Sequence, residues 1–195
     1  MALTTYAGLT ASVADWLHRT DLTTVIADCV VLAEEKFNRR LRTRQQELVL
    51  ADTAIDASYQ IALPTYFLAV KQLWRVSGTE KYALEAKPLE FVAGQQTGDL
   101  ASVYSIRSSV LEFGGTGTVG GILYRTIPDL ATNSTNWLLS AHPSAYLYAT
   151  LAEAAVYTRD TEALAIWSQQ ADAKIAEIQR TENRDEMSGP VRVRV

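Results

Sequence analysis

Four arginines are the most concentrated group of chemically distinctive side chains in this sequence. Arg39, Arg40, Arg42 and Arg44 lie within FNRRLRTRQQE, residues 37–47. Guanidinium groups bind phosphates and carboxylates through paired hydrogen bonds, so this cluster is suited to a nucleic acid or to an acidic protein surface. The whole chain is acidic, with a formal net charge of −4 over 195 residues. The positive charge is therefore local, and its ligand must be judged from its surroundings.

A nucleic-acid site is the weaker interpretation of this cluster. On a continuing helix the side chains would surround its end and would not form one stripe along a groove. Four phosphate contacts would give a salt dependence with a slope of about −3.6, which is typical of weak non-specific binding. The negative end of a helix dipole also favours cations, which accounts for part of the cluster. A small DNA-binding accessory protein stays open as an alternative.

Binding to a protein partner is the favoured interpretation. The chain has 13 arginines and 5 lysines, and arginine is suited to partly buried contacts across interfaces. The C-terminal segment, 190–195, alternates valine with arginine, so an extended strand would have one apolar and one cationic edge that could add to a neighbour's sheet. The predicted interface residues of this segment are Pro190, Val191, Arg192, Val193, Arg194 and Val195.

The remaining motifs do not predict a catalytic, cofactor or metal site. GTGTVG, residues 115–120, fits the dinucleotide-binding fingerprint, but a strand follows it where that fingerprint needs a helix. A hairpin connection between VLEF and GILYR is predicted instead. The two histidines, His18 and His142, are expected to cap helices. We therefore predict no enzyme, no cofactor and no metal ion.

Neither the carboxylates nor the single cysteine predicts a catalytic or metal site. The adjacent acids Glu34 and Glu35 face different directions on a helix and are expected to be solvated. A connector that degrades cell-wall polymers with a glycosidase-type carboxylate pair stays an alternative. Cys29 is the only cysteine and is expected on a buried helix face. No apolar run is long enough to span a membrane and no signal peptide is apparent, so we predict a soluble, cytoplasmically made protein without a membrane partner.

Apolar residues spaced three and four apart predict helices at both ends of the chain. The first helix is predicted from a Thr4 or Thr5 cap to about His18, and the second from a cap at 21–23 to about Arg42. Helical spacing returns at Pro143, a residue suited to the first helical position. A fourth helix is predicted after a cap at Asp160.

The middle of the chain, residues 47–127, has the composition of strands. Short runs rich in Val, Ile, Tyr and Leu are separated by Gly, Asp, Ser and Pro, which predicts five to seven strands. One short helix is predicted at PLEFVAGQQ, residues 88–96. The predicted strand runs are ELVLAD, YQIAL, LAVKQLWRV, KYALEA, VYSIRS, VLEF and GILYRTI.

These elements predict an α+β fold, in which helices from both chain ends form an antiparallel bundle and a small antiparallel β-sheet domain is inserted between them. The predicted divisions are a helical hairpin at 1–44, a β-rich subdomain with one short helix at 45–135, helices completing the bundle at 136–182, and an extended tail at 183–195.

Three stretches of the sequence resemble the head-to-tail adaptor, or connector, proteins of tailed bacteriophages. They are HRTDLTTVIADCVVLAEEKFNRRLRTRQQE, IALPTYFLAVKQLW and the segment from ILYRTIPDLATNSTNWLL to TRDTEALAIW, and they cover about half of the chain. The pattern of NWLL, a proline, YLYATLAEAA and RD resembles the family most closely.

The resemblance implies a non-enzymatic virion protein at the head–tail junction, assembled in the host cytoplasm. Such a protein forms a homo-oligomeric ring, usually a dodecamer, between the portal protein and a downstream tail or nozzle protein. DNA passes through the ring without sequence recognition. The arginines at 39–44 and the C-terminal tail are then expected to contact neighbouring subunits or the portal.

Overall fold

A computed structural model describes residues 3–186 of the chain. The described part contains six α-helices and eight strands, so the predicted α+β class is confirmed. The chain divides into two compact units. One consists of Met1–Gln45 together with Ile127–Val195, and the other of Gln46–Thr126.

The helical unit begins with α1 (Tyr6–Leu17) and α2 (Thr23–Arg40). Thr5 caps α1 as predicted, because its hydroxyl oxygen accepts a hydrogen bond from the Gly8 amide at 3.1 Å. α2 starts within the predicted range, since its N-cap is Leu22, but no side chain caps it. Its end differs from the predicted position near Arg42, because the backbone becomes extended at residue 41.

Three further helices complete this unit: α4 (Trp137–Ala141), α5 (Pro143–Thr158) and α6 (Thr161–Glu186). The carboxylate of Asp160 accepts a hydrogen bond from the Ala163 amide at 3.0 Å, which confirms the predicted cap of α6. α4 was not predicted. The extended tail was predicted to begin at residue 183, but α6 continues to residue 186.

Apolar residues from these helices form one buried core. The Phe37 and Tyr146 rings meet edge to face with centroids 4.9 Å apart, which joins α2 to α5. Apolar residues at helical spacing supply most of the core, whereas Trp16 on α1 and Tyr157 on α5 are 49% and 60% exposed. The core also contains Ile127 and Leu130 from the segment before α4. Both residues belong to the helical unit, which resumes at Ile127, and the predicted divisions of the chain stay a prediction.

The strand-rich unit consists of two four-stranded sheets. One has the order β1-β8-β3-β4 and the other β2-β7-β6-β5, and every neighbouring pair is antiparallel except β5 and β6. A short 3-10 helix, Arg44–Gln46, precedes β1, and the short helix α3 (Leu89–Gly94) lies near its predicted position. The strands are β1 (Glu47–Ala54), β2 (Gln60–Ala62), β3 (Phe67–Ser77), β4 (Glu80–Ala83), β5 (Glu85–Ala86), β6 (Val103–Arg107), β7 (Val110–Phe113) and β8 (Thr118–Arg125).

The two sheets share a core that includes Leu73 and Leu123 from one sheet and Leu111 and Phe113 from the other. Every predicted strand run overlaps a strand, and KYALEA overlaps two, β4 and β5. A fully buried aromatic side chain such as Phe113 stabilises a core of this kind by about 3 to 5 kcal/mol relative to alanine.

The predicted glycine hairpin is wrong. β7 pairs with β2 and β6 in one sheet, whereas β8 pairs with β1 and β3 in the other, so the glycine run crosses between the sheets. The crossing is held by backbone hydrogen bonds from Thr116 N to Asp99 O at 2.7 Å and from Ala101 N to Thr116 O at 2.9 Å. A Cβ atom at Gly115 would lie 2.6 Å from the Asp99 carbonyl oxygen, so glycine is needed for this close approach.

Candidate interaction surface

The predicted arginine cluster begins on the last turn of α2. Arg39 forms an ion pair with Glu35, one helical turn earlier. Arg40 contacts Asp172 on α6, and the Lys36 ammonium group lies 3.1 Å from the same carboxylate. These side chains are substantially exposed, so each pair contributes at most about 1 kcal/mol. Partial burial acts to raise the pKa of Asp172, but the hydrogen bonds from Lys36 and Arg40 hold it below its usual value.

Arg42 lies beyond the end of α2 and contacts two elements. Its guanidinium Nη1 donates to the carbonyl oxygens of Asn38 at 2.8 Å and Leu41 at 2.6 Å, which satisfies carbonyl groups at the end of the helix. Its backbone amide donates to Gln179 Oε1 at 3.0 Å, and Gln179 Nε2 donates to the Arg42 carbonyl at 3.2 Å. One amide side chain of α6 therefore binds both backbone groups of this residue.

Arg44 makes the second connection to α6. Its backbone amide donates to Glu182 Oε2 at 3.0 Å, and its Nε atom lies 3.3 Å from the same oxygen. The Glu182 side chain is only 14% exposed, whereas Arg44 remains 53% exposed. The cluster thus has a structural role that the sequence interpretation missed, because three of its arginines contact α6, at Asp172, Gln179 and Glu182. The Arg39 side chain is 72% exposed.

A shallow groove of about 450 Å³ adjoins the first half of the cluster. Val31 and Leu32 lie on the exposed side of α2 with 54% and 47% of their surface accessible. Exposed apolar side chains next to arginines resemble the composition of protein interfaces. The groove is lined by Leu32, Glu35, Lys36, Arg39, Arg40 and Glu153.

The described residues do not gather a metal-binding group of three or more His, Cys, Asp or Glu side chains. His18 ends α1 and His142 lies between α4 and α5. Cys29 is buried, and burial followed by the nearby Glu153 and Asp28 carboxylates raises the pKa of its thiol to about 11. Among residues 3–186, none of the helices is both long enough and apolar enough to cross a membrane.

Two glutamates are buried, one in each unit. Glu34 is 6% exposed within the helical unit, and Glu112 is 5% exposed within the sheet unit. Glu34 was predicted to be solvated. Its spacing from Val30 and Phe37 places it on the apolar stripe of α2, and this signal could have revealed its burial. Each glutamate is held by groups of its own unit.

The predicted contact residues of the C-terminal tail, 190–195, lie outside the described residues. Their assignment, like that of the arginines to a partner interface, stays a prediction. Comparison with known proteins adds independent information. A family model described as SU10 adaptor protein matches residues 4–194. None of the curated proteins matches the chain. Since the match extends over nearly the whole chain, the predicted adaptor resemblance is confirmed, and the protein belongs to the SU10 adaptor protein family of structural phage proteins.

Proposed function

We propose that this protein is a head-to-tail adaptor that forms a homo-oligomeric ring, most simply a dodecamer, between the portal protein and the tail. The family match over residues 4–194 carries this proposal. In the ring the helices from both chain ends form an antiparallel bundle, and the sheets form an inserted domain. The ring extends the DNA channel and is part of the virion at the head–tail junction, after assembly in the host cytoplasm.

The exposed end of α2 supplies one subunit contact in this proposal. Arg39 and Arg44 keep most or half of their side-chain surface accessible although they are paired internally. Val31 and Leu32 add apolar area on the same helix. A closed ring repeats one contact many times, so a modest affinity at each site is sufficient.

The C-terminal segment, 190–195, supplies a second contact, with the portal or with a neighbouring adaptor subunit. Its alternating valines and arginines suit a strand added to a partner's sheet. A tail or nozzle protein binds the opposite side of the ring. The net charge of −4 suits a channel wall that lets DNA slide without holding it.

Electron microscopy of the protein mixed with its cognate portal ring tests this function. We expect an added layer on the portal with the full-length chain, and a weakened or absent layer when the chain ends at Met187. Reversing the charge of Arg39, with Lys174 as an exposed control on α6, locates the arginine contact. If the full-length chain adds no layer to the portal, the adaptor proposal is wrong, and DNA-binding and hydrolase assays become the next step.

A further inference from the structure

The segment 127–136, which precedes α4, crosses the helical unit as a strap. Three of its residues are buried anchors: Ile127 is 3% exposed, Leu130 1% and Asn136 6%. The residues between the last two anchors, 131–135, are exposed, and all of them except Ala131 are polar. Asp129 closes a turn at this exposed part by accepting hydrogen bonds from the Thr132 amide at 2.8 Å and the Thr132 hydroxyl at 2.7 Å. The strap therefore has a hydrated outer side and a buried inner side.

The inner side of the strap is fixed by hydrogen bonds from two helices. Asn38 Oδ1 on α2 accepts from the Ile127 amide at 2.8 Å, and Glu34 Oε1 accepts from the Leu130 amide at 2.9 Å. At the start of α1, the Tyr6 amide donates to the Ser134 carbonyl at 2.8 Å. Buried amides without such acceptors would each cost about 1 to 3 kcal/mol, so these contacts determine where the strap lies.

Glu34 is the centre of a buried chain of polar groups. The Tyr146 hydroxyl donates to Glu34 Oε1 at 3.2 Å, and Asn136 Nδ2 donates to the Tyr146 oxygen at 2.7 Å. Asn136 Nδ2 also donates to the Pro128 carbonyl at 2.8 Å. The carboxyl group of α2 is thus linked to both ends of the strap through a tyrosine of α5.

The titratable groups around Glu34 do not compensate a negative charge. Tyr146 faces it from α5 and Asp129 faces it from the strap, and within residues 3–186 no lysine or arginine forms an ion pair with it. Burial raises the pKa of Glu34, Asp129 acts in the same direction, and the hydrogen bonds from Leu130 and Tyr146 act against them. An ionised Glu34 would need water, and water reaches it most directly if the strap moves away.

We propose that Glu34 and the strap form a proton-linked latch, in which the protonated carboxyl group keeps residues 127–136 closed over α2 and loss of the proton favours an open strap. Opening exposes the Leu130 and Asn136 side chains and changes the surface that this segment presents. The latch is a property of the single chain. It does not depend on the adaptor role, and its test needs no portal protein.

Hydrogen exchange of the full-length protein measures the opening of the strap. Amide protection is followed from about pH 4 to about pH 8, which brackets the ordinary pKa of glutamate, with correction for intrinsic exchange. The Leu130 and Ile127 amides report on the strap, and the Leu151 amide of α5 reports on the unit as a whole. We expect strap protection to fall by up to about tenfold for each pH unit between the pKa values of the open and closed states. Protection at Leu151 should stay unchanged over that interval.

Two variants assign this pH dependence to Glu34. Glu34→Gln keeps an oxygen that can accept from Leu130 and Tyr146 but cannot ionise, so its strap protection should not vary with pH. Glu35→Gln removes the adjacent exposed charge and should behave like the wild type. Constant strap protection in the wild type, or the same fall in Glu34→Gln, would overturn the proposal.

If Glu34→Gln does not fold, measurements on the wild-type protein alone test the proposal. The carboxyl carbon of Glu34 is then titrated by NMR alongside the exchange measurement. A common midpoint for carboxyl titration and strap opening supports the latch. A strap that opens at a pH unrelated to this titration contradicts it.

Discussion

The two units bury a glutamate in opposite ways. Glu112 of the sheet unit accepts a hydrogen bond from Gln96 Nε2 at 2.9 Å, and Arg107 Nε lies 3.4 Å from its other carboxylate oxygen. Glu34 of the helical unit is bound by an amide and a hydroxyl group, with no cation paired to it in the described part of the chain. The Arg107 contact is a charge pair by distance but not a well-oriented hydrogen bond, since that oxygen has no hydrogen-bond partner in the described structure. The two glutamates are therefore similarly buried, but only Glu112 has a cation close to its carboxylate in the described part of the chain.

This difference reflects how each unit is built. In a sandwich, charged side chains at strand ends can reach buried positions from the rim, as Arg107 does next to the β6–β7 turn. Glu34 lies in the middle of a helix and is covered by the strap and by α5. Only neutral donors reach it there. Burial raises the pKa of the Glu34 carboxyl group, which favours its protonated form.

The largest expected effects are on the two cores. Phe37→Ala in the helical unit and Phe113→Ala in the sheet unit should each lower the free energy of unfolding by about 3 to 5 kcal/mol, because both rings are fully buried. Phe91→Ala is the control, since that ring is 50% exposed on α3 and should cost less than about 1 kcal/mol. Denaturant unfolding followed by circular dichroism measures all three. A loss below 1 kcal/mol at either core position would contradict the packing described.

The next effect concerns the crossing between the two sheets. Gly115→Ala should destabilise the protein by about 1 to 3 kcal/mol, because its methyl group would meet the Asp99 oxygen and the Ala101 nitrogen, which are both backbone atoms. Gly98→Ala is a matched control in the same unit, since nothing lies within 4 Å of a Cβ atom there. Thermal unfolding of the two variants compares them directly. Equal melting temperatures would mean that a Cβ atom fits at position 115, which would contradict the close backbone approach described for the crossing.

Local patterns were sufficient to predict most elements of both units. The caps at Thr5 and Asp160 follow from side-chain chemistry beside an apolar stripe, and alternation with turn residues located the strands. The sheet crossing at 114–117 could not be predicted in this way. A glycine run between two strands suits a hairpin or a crossover equally well, and the outcome depends on pairing with distant strands.

The candidate site was predictable only in part. Composition revealed the arginine cluster, but its contacts with Gln179 and Glu182 join positions that are far apart in sequence and have no local signature. Helical spacing does place Glu34 on the buried stripe, yet charge alone suggested solvation. A titratable residue in an apolar stripe is therefore better interpreted by its position than by its charge.

One substitution in each unit tests the electrostatic difference between Glu112 and Glu34. Arg107→Met leaves Glu112 buried without a cation and should cost about 1 to 2 kcal/mol near neutral pH.

The raised pKa of Glu34 means that its contribution to stability is complete below about pH 4.5 and is lost as pH rises through the folded-state pKa. Glu34→Gln should therefore become more stable relative to wild type as pH rises. Unfolding free energies measured across this pH range check both, and a constant difference between wild type and Glu34→Gln would contradict the assignment.

The smallest effects come from ion pairs at the edges of the two units. Glu182 binds Arg44 in the helical unit, and Glu47 binds the Lys71 ammonium group at 2.7 Å in the sheet unit. Both carboxylates are mostly shielded from solvent, so Glu182→Gln and Glu47→Gln should each cost about 0.5 to 1 kcal/mol. Glu35→Gln, which breaks an exposed pair on one helix, should cost less than about 0.5 kcal/mol. A further variant, Glu182→Met, also removes the oxygen that accepts from the Arg44 backbone amide. At high salt the cost of Glu182→Met should persist, because that hydrogen bond is not screened, whereas the cost of Glu35→Gln should disappear. If salt removes both costs equally, the contact between Arg44 and α6 is no more than a surface ion pair, and the structural role assigned to that end of the cluster would be wrong.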